Sequence, residues 1–219
     1  GTPRGGLAFA PTVDGEILLA APRNAVRQGV GSEVPLLIGS TRDEFAFPVV
    51  DELSDAATEL AARGVDSARV EWFRRSVGRI GTQYTRSALL AISMFRAPLA
   101  DVVASRVRTG AGGRTWVYDY AYPSEVTGTA AHCHEVPFVF DLLDGEGVTQ
   151  VLGANPPQKL ADAIHQSWVR FIASGDAEWP DADAAPTGAR TFGATAEDLV
   201  TEDPNAYALE TELLRLGPS

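Results

Sequence analysis

The chain has 219 residues, 45% of them hydrophobic and 21% charged, the balance of a globular domain long enough to bury a sizeable core. Its formal net charge of −11 gives a surface that repels phosphate backbones and argues against a nucleic-acid partner. Cys133 is the only cysteine, so no intrachain disulfide can form and a reducing, cytoplasmic setting is favoured; no unbroken run of about 18 apolar residues marks a membrane span.

The first 34 residues are rich in glycine and proline and read as loop with short extended pieces. The opening "GTPRGGLAFAPTVDGE" is neither a signal peptide nor a methionine start, so it reads as the middle of a longer protein. "VPLLIGS" (34–40) is a short apolar run ended by Gly-Ser, suited to a buried strand in a parallel sheet. "TRDEFAFP" follows at that strand's C-terminal end, where open α/β sheets keep their sites. Residues 49–63 and 66–78 read as short helices closed by Gly64 and Gly78. The stretch 82–110 has helical spacing of apolar residues, and Pro98 inside it predicts a break or kink that makes two helices of it.

"RTWVYDYAY" (114–122) is aromatic and β-branched and reads as a strand. Pro123 and Gly128 open a loop that holds "GTAAHCHEVPFVFD" (128–141), and Pro137 begins a short helix. Pro156 and Pro157 open the clearest helix, which Gly175 closes. The tail after Trp179 and Pro180 is mostly loop, with "ARTFGA" a candidate strand and "NAYALETELLRL" a final amphipathic helix. Strands alternating with helices argue an α/β fold. Two firm strands are too few for a doubly wound sheet, so the sheet is expected to be incomplete.

Three chemistries compete for the histidine loop. His132 and His134 could ligate a metal with Cys133 or Glu135, but zinc sites want three or four ligands at recognisable spacing, and the chain holds three histidines and one cysteine. Cys133 could be a nucleophile, yet a base at the adjacent position points away in extended chain, and a lone cysteine is commonly a small packed residue. The third reading is a serine triad, in which His132 acts as base and Glu44, after the first strand, orients it. Acid before base matches the chain order of α/β-hydrolases.

Four stretches in order then resemble the C-terminal half of type B carboxylesterases, the group of para-nitrobenzyl esterases and cholinesterases. They are "FAPTVDGEIL", "VPLLIGSTRDEFAF", "GTAAHCHEVPFVFD" and "SWVRFIASGDAEWP". The resemblance implies the C-terminal part of an α/β-hydrolase fold across 1–219, with Glu44 as triad acid, His132 as base and no cofactor. The chain departs from the family pattern at Phe45 and Cys133, where the family commonly has small residues. Phe45, Phe47, Cys133, Phe138 and Phe140 are candidate walls of a substrate pocket for a small-molecule ester. Trp168 is a further aromatic candidate. His134 reads as a neighbour of the site, His165 as structural, and Glu135 as an N-terminal helix cap.

The sequence contains no G-x-S-x-G; only Ser219 has glycine two positions before it, and nothing follows. The nucleophile and oxyanion loop are therefore expected in an N-terminal half, which becomes a partner of this region. Alone, the chain is expected to be inactive as an esterase and to self-associate into a homo-oligomer through its exposed strand edge. The alternative from another class is a non-catalytic esterase-like binding module.

Overall fold

The computed structural model describes residues 11–45, 56–81, 84–195 and 197–216. A four-stranded sheet runs through it in the order β1 (Leu36–Thr41), β2 (Thr115–Tyr120), β3 (Ala189–Phe192) and β4 (Val200–Asp203). β1, β2 and β3 are parallel, and β4 returns antiparallel against β3. The two strands expected from β-branched and aromatic runs are β1 and β2, and "ARTF" forms β3. β4 has no such signature: its alternation of exposed and half-buried residues is that of a polar edge. Among the described residues, nothing pairs with the outer edge of β1.

Side chains alternate across β2, as the period of two requires. Trp116, Tyr118 and Tyr120 face one side. There Trp116 packs edge-on against Phe171 and Tyr118 against Trp168, with ring centroids 5.8 and 4.9 Å apart. Both partners sit on α8 (Gln158–Ser174). A step of two along the strand thus matches a step of three along the helix. Tyr120 continues into a core with Phe138, Leu152, Leu160, Ile164 and Phe192, to which α6 (Val136–Val139) and α7 (Val148–Leu152) contribute. Val117 faces the opposite side and joins Leu99, Val103 and Tyr207.

That second side is covered by a helical stretch. It comprises α4 (Thr85–Ala91), a π-helical segment (Ile92–Arg96) and α5 (Ala97–Arg108). The two helices expected around Pro98 are α4 and α5, and the π segment joins them without a gap. Pro98 falls in the first turn of α5, directly after the π segment; the wider π turn absorbs the missing N–H and the ring's clash with the preceding turn. The 24 residues Thr85–Arg108 are long and apolar enough to cross a membrane, with a window of mean hydropathy 1.5, although no unbroken apolar run exists. In the fold this stretch packs on the sheet and against α9 (Ala208–Leu216).

α1 (Pro22–Arg27) lies against α5, Arg23 and Arg27 reaching Asp101. α2 (Ala56–Ala62) and α3 (Ser67–Ile80) form a separate apolar cluster with Phe73, Val77, Ile92 and Leu209. Gly64 follows α2 with φ +83°, the left-handed conformation glycine supplies at helix ends. Gly78 does not end α3; the helix runs on to Ile80 and closes at Gly81, whose N–H donates to the Val77 carbonyl at 2.8 Å. One interior glycine costs about 1 kcal/mol of helix propensity, less than the packing of Phe73 and Val77 returns. The part of the expected 49–63 helix before Ala56 lies outside the described residues.

Candidate active site

The C-terminal ends of β1 and β2 are adjacent in register, Thr41 opposite Tyr120. The chain leaves each end as a turn, and the two turns meet. Arg42 N–H donates to the Tyr120 carbonyl at 2.8 Å, and Asp43 N–H to the Ala130 carbonyl at 3.0 Å. His132 N–H donates to the Glu44 carbonyl, also at 3.0 Å. The loop holding His132 is therefore pinned by backbone bonds to the turn holding Glu44.

The side chains complete the contact. His132 Nδ1 lies 2.5 Å from Glu44 Oε2, and the other carboxylate oxygen, Oε1, accepts from Thr41 N–H at 2.9 Å. Glu44 is buried, while the His132 side chain is 52% exposed. Its Nε2 has no hydrogen bond among the described residues. One ring nitrogen is held by a fixed carboxylate and the other faces outward, which orients the imidazole and fixes its tautomer.

A buried ion network anchors the Glu44 turn from below. Arg42 reaches Asp119 on β2 through Nε, at 2.9 Å, and through Nη2. Asp119 also accepts from Arg96 at 2.8 Å, and Arg96 in turn donates to Glu210 at 2.5 Å and to the Ala206 carbonyl. Burial would raise the Asp119 carboxyl, but Arg42 and Arg96 outweigh it and hold it below the usual carboxylate range. Arg96 belongs to the π segment, so that irregular turn places a guanidinium under the site.

The expected pocket residues separate. Phe45 stands beside the imidazole, ring centroids 5.9 Å apart. Cys133 is exposed and adopts φ +64°. Partial desolvation, with the carboxylates of Glu135 and Glu44, pushes its thiol up, away from a reactive thiolate. Phe138 is not an open wall: it is fully buried between Tyr120 and Tyr122 in the core. Within α6 it is the residue turned inward to the core. Phe140 is exposed and lines a groove of 410 Å³ between α6 and α8, with Tyr118 and Trp168. Phe47 lies outside the described residues. Phe95 was not visible as a site residue in sequence; its ring packs 4.8 Å from Phe45 and 5.5 Å from His132.

The other two histidines differ from His132. His134 is buried, accepts from Ala131 N–H at 3.3 Å through Nδ1, and is held below the ordinary histidine range by that burial. It is not on the surface. His165 bonds the Val139 carbonyl at 2.9 Å and ties α8 to α6. Glu135 occupies the N-cap position of α6, as expected, but its side chain makes no cap hydrogen bond. It sits at the inner end of the groove, where burial raises its pKa and Glu44 adds to the effect. Among the described residues no three His, Cys, Asp or Glu side chains converge as a metal site would need.

A sequence model described as "Carboxylesterase family" matches residues 2–208. The chain belongs to the carboxylesterase family. Among curated members of this family it is 27% identical over 190 residues to a para-nitrobenzyl esterase of Bacillus subtilis, covering 80% of this chain and 37% of that protein. It is also 27% identical over 188 residues to a phenmedipham hydrolase of Pseudarthrobacter oxydans, covering 78% and 36%. A solved Geobacillus stearothermophilus carboxylesterase superposes with a TM-score of 0.67 at 23% identity, covering 93% of this chain and 45% of that one. A para-nitrobenzyl esterase structure gives 0.64 at 21%, covering 96% and 44%. The fold is thus part of the α/β-hydrolase fold, and the chain spans less than half the length of these carboxylesterases.

Proposed function

We propose that this chain supplies the acid and the base of a carboxylic ester hydrolase whose serine lies in an N-terminal half. Glu44 holds the imidazole in the tautomer with a proton on Nδ1. His132 Nε2 then accepts the serine proton as the hydroxyl attacks the ester carbonyl, and later returns it to the leaving alcohol. Glu44 stabilises the imidazolium in between. The observation that carries this reading is the 2.5 Å contact between His132 Nδ1 and Glu44 Oε2 with the rest of the ring exposed.

Family membership supports ester hydrolysis, and the substrates are small uncharged esters that suit the aromatic wall of Phe45 and Phe95. No cofactor enters this mechanism. The N-terminal half is a partner that docks against the open edge of β1 and the apolar groove beside it, where Val136, Phe140, Val169 and Ile172 are exposed. Without that half, the same edge and groove drive self-association.

The test joins the chain to its upstream half and follows hydrolysis of a para-nitrophenyl ester. The joined protein turns over and the isolated chain does not. His132→Ala lowers kcat on the order of 10⁴-fold, and Glu44→Ala by a comparable factor. Turnover by the joined protein that survives His132→Ala overturns the proposal.

A further inference from the structure

Asp43, the residue before the proposed acid, makes contacts that the acid–base reading leaves unused. Its carboxylate is buried, 8% exposed. Oδ2 accepts from the Ala130 backbone N–H at 2.9 Å, two residues before His132. Both oxygens accept from Arg79 Nη2, at 3.0 and 2.9 Å. The backbone of Asp43 donates to the carbonyl of the same Ala130 at 3.0 Å. Asp43 and Ala130 therefore face each other as a two-bonded pair, like a rung of a ladder, and the next rung is the pair Glu44 and His132.

Of the bonds joining the acid's turn to the base's loop, two are side-chain bonds: Glu44 to the imidazole, and Asp43 to Ala130. The second fixes the loop without touching the imidazole. Arg79 adds a link to α3, which belongs to a different packing cluster from the sheet-facing core. Its guanidinium offsets the cost of burying the Asp43 charge and aims the carboxylate at Ala130. A shift of α3 is thereby transmitted to the spacing between Glu44 and His132.

We infer that Asp43, held by Arg79, is a positioning residue that sets the register of the His132 loop so that Nδ1 meets Glu44. This rests on the reading of Glu44 and His132 as an acid–base pair. A merely structural role for Asp43 would affect stability and leave the imidazole tautomer alone.

The tautomer is the readout. Nitrogen-15 spectra of the chain, recorded through the carbon-bound ring protons well above the imidazole titrations, report which ring nitrogen of each histidine carries the proton. Three histidines are resolved, and His132→Gln assigns the signal. In the wild-type chain His132 carries its proton on Nδ1. In Asp43→Ala that preference is lost and the proton is found mainly on Nε2, while His165, bonded to Val139, is unchanged. Should Asp43→Ala not fold, Arg79→Gln at a half-exposed position decides: it shifts the His132 population in the same direction, and Arg79→Lys restores it. A folded Asp43→Ala, or failing that a folded Arg79→Gln, with His132 still fully protonated on Nδ1 overturns the clamp and leaves the acid–base pair standing. A wild-type chain with His132 protonated on Nε2 overturns the pair and the clamp together.

Discussion

The ring of Tyr118 lies across Gly39 from the neighbouring strand, so close that a β-carbon on Gly39 would sit 2.3 Å from it. The two residues are register partners at the centre of β1 and β2, and Tyr118 is itself held edge-on by Trp168. The strand that leads to Glu44 can approach the strand that leads to His132 because one of the two residues has no side chain.

Gly39→Ala is therefore expected to destabilise the chain by about 1–3 kcal/mol, the usual cost of forcing extra volume into a packed site. Urea denaturation midpoints measure it. In a Tyr118→Leu background the cost of the alanine falls well below that in wild type, because the clash partner is gone.

Glu135 supplies a second prediction. One carboxylate oxygen is buried with no hydrogen-bond partner among the described residues. Burial raises the group above its ordinary 4.5, with Glu44 adding to the effect. A raised folded-state pKa means the protonated form is favoured in the fold. Its contribution to stability is full below 4.5 and is lost as pH rises through the folded value. Glu135→Gln is expected to stabilise the chain at neutral pH by about 1 kcal/mol, or roughly 2–4 °C in Tm. The advantage shrinks in acid. Thermal melts at stepped pH check both parts.

His134 behaves in the opposite sense. Burial depresses it below 6.5, partly offset by a bond with the Thr129 backbone. The unfolded chain therefore binds the proton first as pH falls. Stability is full above 6.5 and declines below it, towards the depressed folded value. Protonation at Nδ1 also removes the acceptor for Ala131 N–H. The slope this one group adds cannot exceed about 1.4 kcal/mol per pH unit. His134→Gln flattens that limb of the curve, as free energies of unfolding measured stepwise below neutral pH will show.

Arg96 is expected to be the most sensitive single position. Arg96→Met leaves Asp119 short of one partner and Glu210 without its cation, inside a region where Arg96 and Glu210 are almost fully buried. Breaking one member of a buried pair costs about 3–5 kcal/mol. Equilibrium unfolding against the wild-type chain gives the number.

Much of this architecture was legible in residue order. The apolar run of β1, the aromatic alternation of β2 and the proline-opened, glycine-closed α8 each announce themselves through local chemistry. So did the candidate site: an acid after one strand and a histidine in the loop after a later one need no contact information to be named. What stayed hidden depends on tertiary neighbours. Phe95 looks like any helical apolar residue until the π segment turns it towards Phe45. Arg96, Asp119 and Glu210 are three ordinary charges until the π segment, β2 and α9 close over them. Phe138 and Phe140 are two apart on a short helix, and only packing tells the buried ring from the exposed one. Gly78 misled because it weakens a helix only locally, and the surrounding core outweighed that preference.

The pairing of Thr41 with Tyr120 has a consequence at the level of the gene. Glu44 and His132 are set by neighbouring strands that both lie within this stretch of polypeptide. A recombination event that joins the stretch to different upstream coding sequence carries both groups across in one inheritance, with their spacing already set. Glu44 and His132 thus form one transmissible unit, their mutual spacing written into a single stretch of chain.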